Sequence, residues 1–352
     1  MSGNYIKLYA ASSAADAVFF LGEGSVFFYA SNVDKYSISG KNLVLGATEI
    51  IMTRLCGSET ARIETAIADP ASVIKKIAVD TFLEGLSSFS FGLNVLTVLA
   101  KQIMLTNQII QKNLSALKDD ENKTKECSIA YYHIVSRLEE EYNKRKYPWL
   151  KSLIMEFIDS LTYARGEAYH KSSEPAKILP AASLSDKDVE FPQGAVICEE
   201  NSYGSEMFIL KSGSLDVIIQ GNKVASVNEP GTVIGEMALL LGETRTATLK
   251  AKNRVIMTRL TKEDLKDAAL KQSDFLPSIA RTLAKRHYYN ILKIAHINKS
   301  IIEQGIDKTI MGKKEALHSE KTLKDLIRLK QKIEDVVRGK DAEFLQDLIA
   351  KF

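Results

Sequence analysis

Ile234-Gly-Glu-Met-Ala-Leu-Leu-Leu-Gly-Glu-Thr-Arg-Thr-Ala-Thr-Leu249 is the stretch on which the reading of this chain turns. Gly235 admits backbone conformations closed to other residues and lets a ligand come close to the main chain. Met237 to Leu241 has high helix propensity and ends at Gly242, which predicts one short helical turn. The N–H groups at the start of such a turn point outward together and favour an anion. Arg245 follows on the returning strand, where its planar guanidinium can give two parallel, charge-assisted bonds to phosphate oxygens. Glu236 stands beside that anion and would repel it unless the ligand also brings hydroxyl donors, as a ribose does. Phosphate together with sugar hydroxyls describes a nucleotide.

The segment resembles the phosphate-binding cassette of the cyclic-nucleotide-binding domain family, in which Gly-Glu-x-Ala-Leu is followed, after a few residues, by Arg-(Ala/Ser/Thr)-Ala. That family includes kinase regulatory subunits, nucleotide-gated channels and bacterial catabolite-activator regulators. Upstream, Phe191-Pro-Gln-Gly194 and Gly204-x3-Phe208-Ile-Leu-x2-Gly213 match its turn glycines. Asn201 departs from the pattern at a position where the family usually has glycine, which puts one turn in question. The resemblance implies an eight-stranded β-roll flanked by helices. It also implies Arg245 on the cyclic phosphate, Glu236 on the ribose 2′-hydroxyl, and backbone N–H groups of Met237, Ala238 and Ala247 around both. In the family a hydroxyl such as that of Thr246 can favour guanine, but many bacterial cAMP receptors carry one as well. The implied ligand is cAMP or cGMP, with no other cofactor.

Strand character extends outward from this segment over Ile178 to Leu260, with glycines 194, 204, 213, 221 and 231 as turn markers. A similar region precedes it from Tyr5 to Ile67, where Ser25-Val-Phe-Phe-Tyr-Ala30 and Asn42-Leu-Val-Leu45 read as strands. Pro70 to Tyr169 and Lys262 to Phe352 read as helical, with a polar break at Lys118–Glu126, an interruption at Pro148 and a linker at Lys171–Pro175. The order strands, helices, strands, helices points to an internal duplication. Phe91-x3-Val95-x3-Leu99-Ala-Lys101 recurs as Phe275-x3-Ile279-x3-Leu283-Ala-Lys285, and Glu59-Thr60 recurs as Glu243-Thr244; both intervals are 184 residues. The expected fold is α+β, with tandem β-rolls of the jelly-roll (double-stranded β-helix) kind, each followed by helices. Residues 1–90 form a degenerate roll, 91–176 a helical region, 177–270 the competent domain and 271–352 a C-terminal helical region.

The duplication aligns Gly46 with Gly235, places Ala47 where the glutamate stands and places Ala61 where the arginine stands. Arg62 falls one position late and Glu49 two beyond Ala47. The first roll is therefore expected to bind no nucleotide and to serve docking or dimerisation, with a shifted site at Glu49 and Arg62 as the alternative. A helix from about Lys262 to Ile297 would close over the base of a ligand in the second roll. Its His287-Tyr288-Tyr289 cluster offers a stacking cap, with ordinary helix packing as the competing reading.

The remaining features exclude other classes. With 47 basic and 44 acidic side chains the net charge is +3, too balanced to imply a nucleic-acid or anionic-membrane partner. Cys56, Cys127 and Cys198 form no CxxC pair and read as thiols in a reducing compartment. The five histidines show no metal-binding spacing. Glu139 to Glu141 read as a solvated helix face, so no catalytic acid pair is expected. Asp16 and Glu23 interrupt the N-terminal apolar patches, which argues against a signal peptide. The apolar stretch Leu86–Ala100 reads as too short to span a bilayer. After Phe275 no compact helix-turn-helix pattern appears, Lys313, Lys314, Lys321 and Lys324 are offset by Glu315, Glu320 and Asp325, and no Arg-Arg-x-Ser/Ala sequence occurs. The expectation is a non-enzymatic, cytoplasmic regulatory protein of signal transduction. It would change conformation on binding a cyclic nucleotide and act on an unidentified protein effector, with a homodimer allowed. The alternatives are a catabolite-activator-type transcription regulator with an atypical DNA-binding region, and a scaffold that keeps the fold without ligand control.

Overall fold

The computed structural model describes residues 5–116, 121–174, 177–178, 186–219, 221–311, 318–337 and 345. The chain forms two compact units, Met1–Leu105 with Glu174–Tyr288, and Thr106–Ser173 with Tyr289–Phe352.

The first unit begins with β1 (Ile6–Tyr9), β2 (Ala17–Tyr29), β3 (Lys35–Leu45), α1 (Thr48–Cys56), β4 (Thr65–Ala68), β5 (Val73–Ala78), α2 (Val79–Leu86) and α3 (Phe89–Ala116). Alternation decides the faces of β2: Val26 and Phe28 are fully enclosed, while Tyr29 is exposed. β2 pairs with β3 along nearly its whole length, from Phe19 opposite Leu45 to Tyr29 opposite Lys35. On its other edge β2 changes partner, its first half pairing with β5 and its second half with β4. Gly24 sits at that change with φ 129°, and a Cβ there would run into Ser72, which joins the two partner strands. The predicted helical region from Pro70 must be corrected at its start, because β5 occupies Val73–Ala78 and pairs with the first half of β2.

The second part of this unit contains β6 (Asp188–Phe191), β7 (Val196–Cys198), β8 (Glu206–Ser212), β9 (Leu215–Ile219), β10 (Asn222–Val227), β11 (Val233–Ile234), α7 (Glu236–Leu241), β12 (Thr248–Ala251), β13 (Val255–Thr261) and α8 (Asp264–Lys271), then the start of α9 (Phe275–Met311). Its strands form two antiparallel four-stranded sheets, β11-β8-β13-β6 and β10-β9-β12-β7. Phe208, Leu210, Leu215, Val255 and Met257 fill the roll.

The two rolls share one wiring. β4 lies between β1 and β2 as β12 lies between β7 and β9, and β5 pairs with the first half of β2 as β13 pairs with β8. The hairpin β2–β3 thus does in two long strands what β8 to β11 do in four, and a helix follows the hairpin in both. Antiparallel jelly rolls in tandem, each followed by helices, are the architecture. A core joins the rolls through Val95 and Leu99 of α3 and Phe275, Ile279 and Leu283 of α9, with Phe91 packed against it, the same residues that reveal the repeat in the sequence.

The second unit is helical, with α4 (Glu121–Arg145), α5 (Pro148–Phe157), α6 (Leu161–Ser173) and α10 (His318–Val337), besides residues of α3 and α9. Pro148 is the first residue of α5, where its missing N–H costs nothing. Tyr131, Leu138, Leu150, Leu329 and Ile333 build its core. Several boundaries differ from expectation. α6 continues to Ser173 through most of the expected linker, whose Pro175 lies outside the described residues. The expected single helix from Lys262 is two, because Gln272 takes an extended conformation between α8 and α9. Of the polar break, 118–120 lie outside the described residues and 121–126 open α4; Lys313, Lys314 and Glu315 also lie outside. Glu141 is not solvated: its side chain is 4% exposed and pairs with Arg137, Lys144 and Arg145. α3 is longer than the apolar run suggested and, over Phe89–Leu114, long and apolar enough to cross a membrane, but half of its most apolar window is buried within the protein.

Candidate functional site

The site is assembled where β11 runs into α7 and the chain returns toward β12. Gly235 takes φ 83° and precedes α7, and Gly242, also left-handed, ends that helix with its N–H on the Ala238 carbonyl. Ala238, Leu239 and Leu240 are buried and half-buried Met237 packs on the joint core, so α7 is seated by its apolar face. Arg245 follows, and its main chain is tied to the opposite loop: its N–H donates to the Ser202 carbonyl at 2.7 Å, and its carbonyl accepts from Asn201 at 2.8 Å. Asn201 adopts φ 65°, so it supplies the left-handed turn for which the pattern calls for glycine.

The Arg245 side chain is 5% exposed. Its Nη1 donates to the Gly235 carbonyl at 3.1 Å and its Nη2 to the Glu206 carbonyl at 2.6 Å. A Cβ on Gly204 or Gly235 would collide with the guanidinium, which is why both positions are glycine. The Glu206 carboxylate is engaged elsewhere, with Arg259 at 2.5 Å. Among the described residues no carboxylate pairs with Arg245. A buried guanidinium held by two carbonyls and lacking a counter-charge is costly alone and attracts an anion.

Glu236 is 3% exposed and forms an ion pair with Arg286 of α9, whose Nε also donates to the Glu174 carbonyl at 3.3 Å. Arg286 is the group that the sequence reading missed. Fifty residues separate it from Glu236, and only the return of α9 beside α7 brings them together. Of the other expected site residues, Ala247 is half-buried in the bend just before β12 and Thr246, beside it, is exposed. The structure therefore sets Gly235, Glu236, Met237 and Ala238 at one turn with Arg245 bonded to it, and Thr246 and Ala247 follow on the return toward β12.

His287 is not available to cap a base. It is fully enclosed in the first roll, with Nδ1 2.8 Å from the Thr48 hydroxyl and Nε2 3.1 Å from the Tyr36 hydroxyl. Tyr36 in turn donates to Glu64 at 2.8 Å, and Gln102 donates to Tyr36 at 3.1 Å. Burial, and then the charge of Glu49, push the Glu64 carboxyl well above the ordinary carboxylate range. Burial draws His287 down to about 3. Glu64 lies 4.0 Å from His287 Nε2, within ion-pair reach, but burial raises the carboxyl and lowers the imidazole, so burial governs the histidine.

The first roll also corrects the alignment of the arginine. Arg62, not Ala61, occupies the place of Arg245, donating to the Gly46 carbonyl at 2.7 Å as Arg245 does to Gly235. Cys56, Cys127 and Cys198 are free thiols, and among the described residues no cluster of three or more His, Cys, Asp or Glu side chains is placed to hold a metal.

The family model of the cyclic nucleotide-binding domain matches residues 188–272, about a quarter of the chain. Human cGMP-dependent protein kinase 2 is 32% identical over 122 residues, which cover 34% of this chain and 15% of the kinase. A cyclic nucleotide-gated potassium channel of Rhizobium etli is 30% identical over 95 residues, covering 27% of this chain and 26% of the channel. The chain thus spans only a small part of these curated relatives. Two solved structures share the likeness at lower identity. One, cAMP-bound PfPKA-R (141-441), is 15% identical with a TM-score of 0.26, over 75% of this chain and 70% of that one. The other, the catabolite activator protein of Thermus thermophilus, is 22% identical with a TM-score of 0.24, over 38% and 60%. Strand order, the glycine-gated turn, the buried arginine and the family match converge on one segment: over residues 188–272 the chain is similar to the cyclic nucleotide-binding domain family.

Proposed function

We propose that this protein is a non-enzymatic receptor for a cyclic nucleotide, cAMP or cGMP, whose second β-roll binds the ligand and whose helices pass the change to a protein effector. The observation that carries the reading is Arg245, buried, fixed by two carbonyls and without a carboxylate partner among the described residues. The cyclic phosphate supplies that missing charge, and the guanidinium binds it with little loss of side-chain freedom, because its orientation is already set. Gly235, Met237, Ala238 and Ala247 present main chain to the phosphate and ribose, Glu236 accepts from the 2′-hydroxyl, and Thr246 lies toward the base. Arg286 neutralises Glu236, which lets a carboxylate stand beside a phosphate. Along the chain, residues 177–270 act as the competent domain and 1–90 as a roll without nucleotide, with 91–176 and 271–352 as the helical regions that report the change. A cytoplasmic protein fits this role, and a homodimer is compatible with it.

Thermal unfolding with cAMP, cGMP and non-cyclic AMP tests the proposal. Ligand at about a hundred times its dissociation constant adds roughly 2.7 kcal/mol to the stability of the binding unit. The expected result is a rise in Tm with one or both cyclic nucleotides, none with AMP, and no rise in Arg245→Ala. A Tm unmoved by every nucleotide in the wild type would overturn the reading.

A further inference from the structure

Arg62 in the first roll repeats the setting of Arg245. A left-handed glycine precedes the helix in each, Gly46 at φ 74° and Gly235 at φ 83°. Arg62 donates from Nη1 to the Gly46 carbonyl and from Nη2 to that of Ala17, the first residue of β2. Arg245 donates from Nη1 to the Gly235 carbonyl and from Nη2 to that of Glu206, the first residue of β8. The two settings part at one side chain. Glu49, in the first turn of α1, accepts from Arg62 Nη1 at 2.8 Å through Oε2 and from the Ile63 N–H at 3.1 Å through Oε1. Both side chains of this pair are 1% exposed. In the second roll the glutamate comes directly after the glycine and turns to Arg286, which leaves Arg245 without a carboxylate.

We infer that the first β-roll is an oxyanion site occupied from within, the Glu49 carboxylate standing where the oxygens of a phosphate would meet Arg62 and the N–H of Ile63. This rests on the reading of Arg245 as the phosphate-binding group of the second roll. A carboxylate is planar and has two oxygens, so it cannot reach every donor of a site built for a tetrahedral anion. Arg62 Nε and the Tyr9 hydroxyl are indeed buried without a partner among the described residues, with the Tyr9 ring 4.2 Å from the guanidinium. Tyr9, Tyr36, Glu64 and His287 are all buried around this arginine and its neighbours, which leaves no room for a base and ribose. Vacated, the site takes a small oxyanion such as inorganic phosphate or sulfate, and no nucleotide. The first roll is thereby held in the arrangement that an anion would impose, at every nucleotide concentration.

The experiment compares wild type, Glu49→Ala and Glu49→Ala/Arg62→Met by thermal unfolding in sodium phosphate, sodium sulfate and sodium chloride of equal ionic strength. The double variant leaves no buried charge unpaired and controls for the general stabilising effect of phosphate and sulfate. Glu49→Ala is expected to gain about 3 °C or more in phosphate or sulfate over chloride, beyond the change in the other two proteins. Equal responses in all three overturn the inference. If Glu49→Ala does not fold in chloride, recovery of folded protein in phosphate supports the inference. Failure in every buffer while the double variant folds overturns it, and Glu49→Ser repeats the comparison with a smaller perturbation. A titration of wild type separates the two readings. A second cyclic nucleotide per chain, kept in Arg245→Ala and lost in Arg62→Met, overturns the internal occupant and leaves the receptor standing. No nucleotide at all removes the receptor, while the anion response of Glu49→Ala still decides the first roll.

Discussion

Acid should weaken this protein through His287, by an amount that its surroundings set. The chain Thr48–His287–Tyr36–Glu64 can run in either direction with its protons paired, and in both directions the imidazole is neutral with a single N–H. Burial holds its pKa at about 3, against an ordinary value of 6.5. A folded-state pKa below the unfolded one contributes stability that is complete above pH 6.5 and is lost as pH falls toward 3. At about pH 4.5, two units below the unfolded value, the loss is about 3 kcal/mol at 1.36 kcal/mol per unit. Glu64 works in the opposite sense, because a raised carboxyl pKa favours the folded state most at low pH. Half-buried His296, drawn down to about 4 by burial, works in the same sense as His287. Both are present in His287→Gln, which keeps a donor and an acceptor but cannot take the proton, so their contributions cancel in the comparison. Urea unfolding followed by circular dichroism at about pH 7.5 and about pH 4.5 should show wild type losing about 3 kcal/mol more than the variant. The same acid-induced loss in both proteins, to within about 0.5 kcal/mol, would refute the reasoning.

Two further outcomes are specific. Asn201→Gly should change stability by less than about 1 kcal/mol in urea unfolding, since glycine suits φ 65° but frees the unfolded chain; a larger loss would give the asparagine side chain a role of its own. Arg286→Met should cost about 3 kcal/mol by leaving Glu236 buried and unpaired, while Arg286→Met/Glu236→Gln should recover most of it. Strictly additive single-variant costs in that cycle would show that the pair is not coupled.

The second roll was legible because its chemistry is local. The turn glycines, α7 and Arg245 lie within a few residues of one another, and each constraint leaves a mark on composition. The duplication was legible for another reason: α3 and α9 bury equivalent apolar positions in one core, so the spacing from Phe91 to Leu99 had to recur. What stayed hidden depends on distant pairing. Arg286 meets Glu236 and His287 meets Tyr36 only through the path of α9, and nothing in a run of Lys-Arg-His says which nitrogen finds which oxygen. Glu141 was misread because charge on a helix usually means water, whereas three basic neighbours on the same helix enclose it. β5 was missed because Val73–Ala78 carries two lysines and joins a sheet edge instead of a buried face. The shift from Ala61 to Arg62 is a failure of counting: the segment after α1 is longer than that after α7, so equal offsets from Glu-Thr do not mark equal places in space.

Arg286 and His287 are consecutive on α9, about 100° apart around its axis. One is held by Glu236 of the second roll, the other by Tyr36 and Thr48 of the first. Two neighbours gripped from different sides fix the rotational phase of a helix as two pins fix a wheel. A single residue inserted between Phe275 and Arg286 would turn the helix by about that same angle and carry both side chains off their partners together. Length, and not composition alone, is therefore constrained over this stretch.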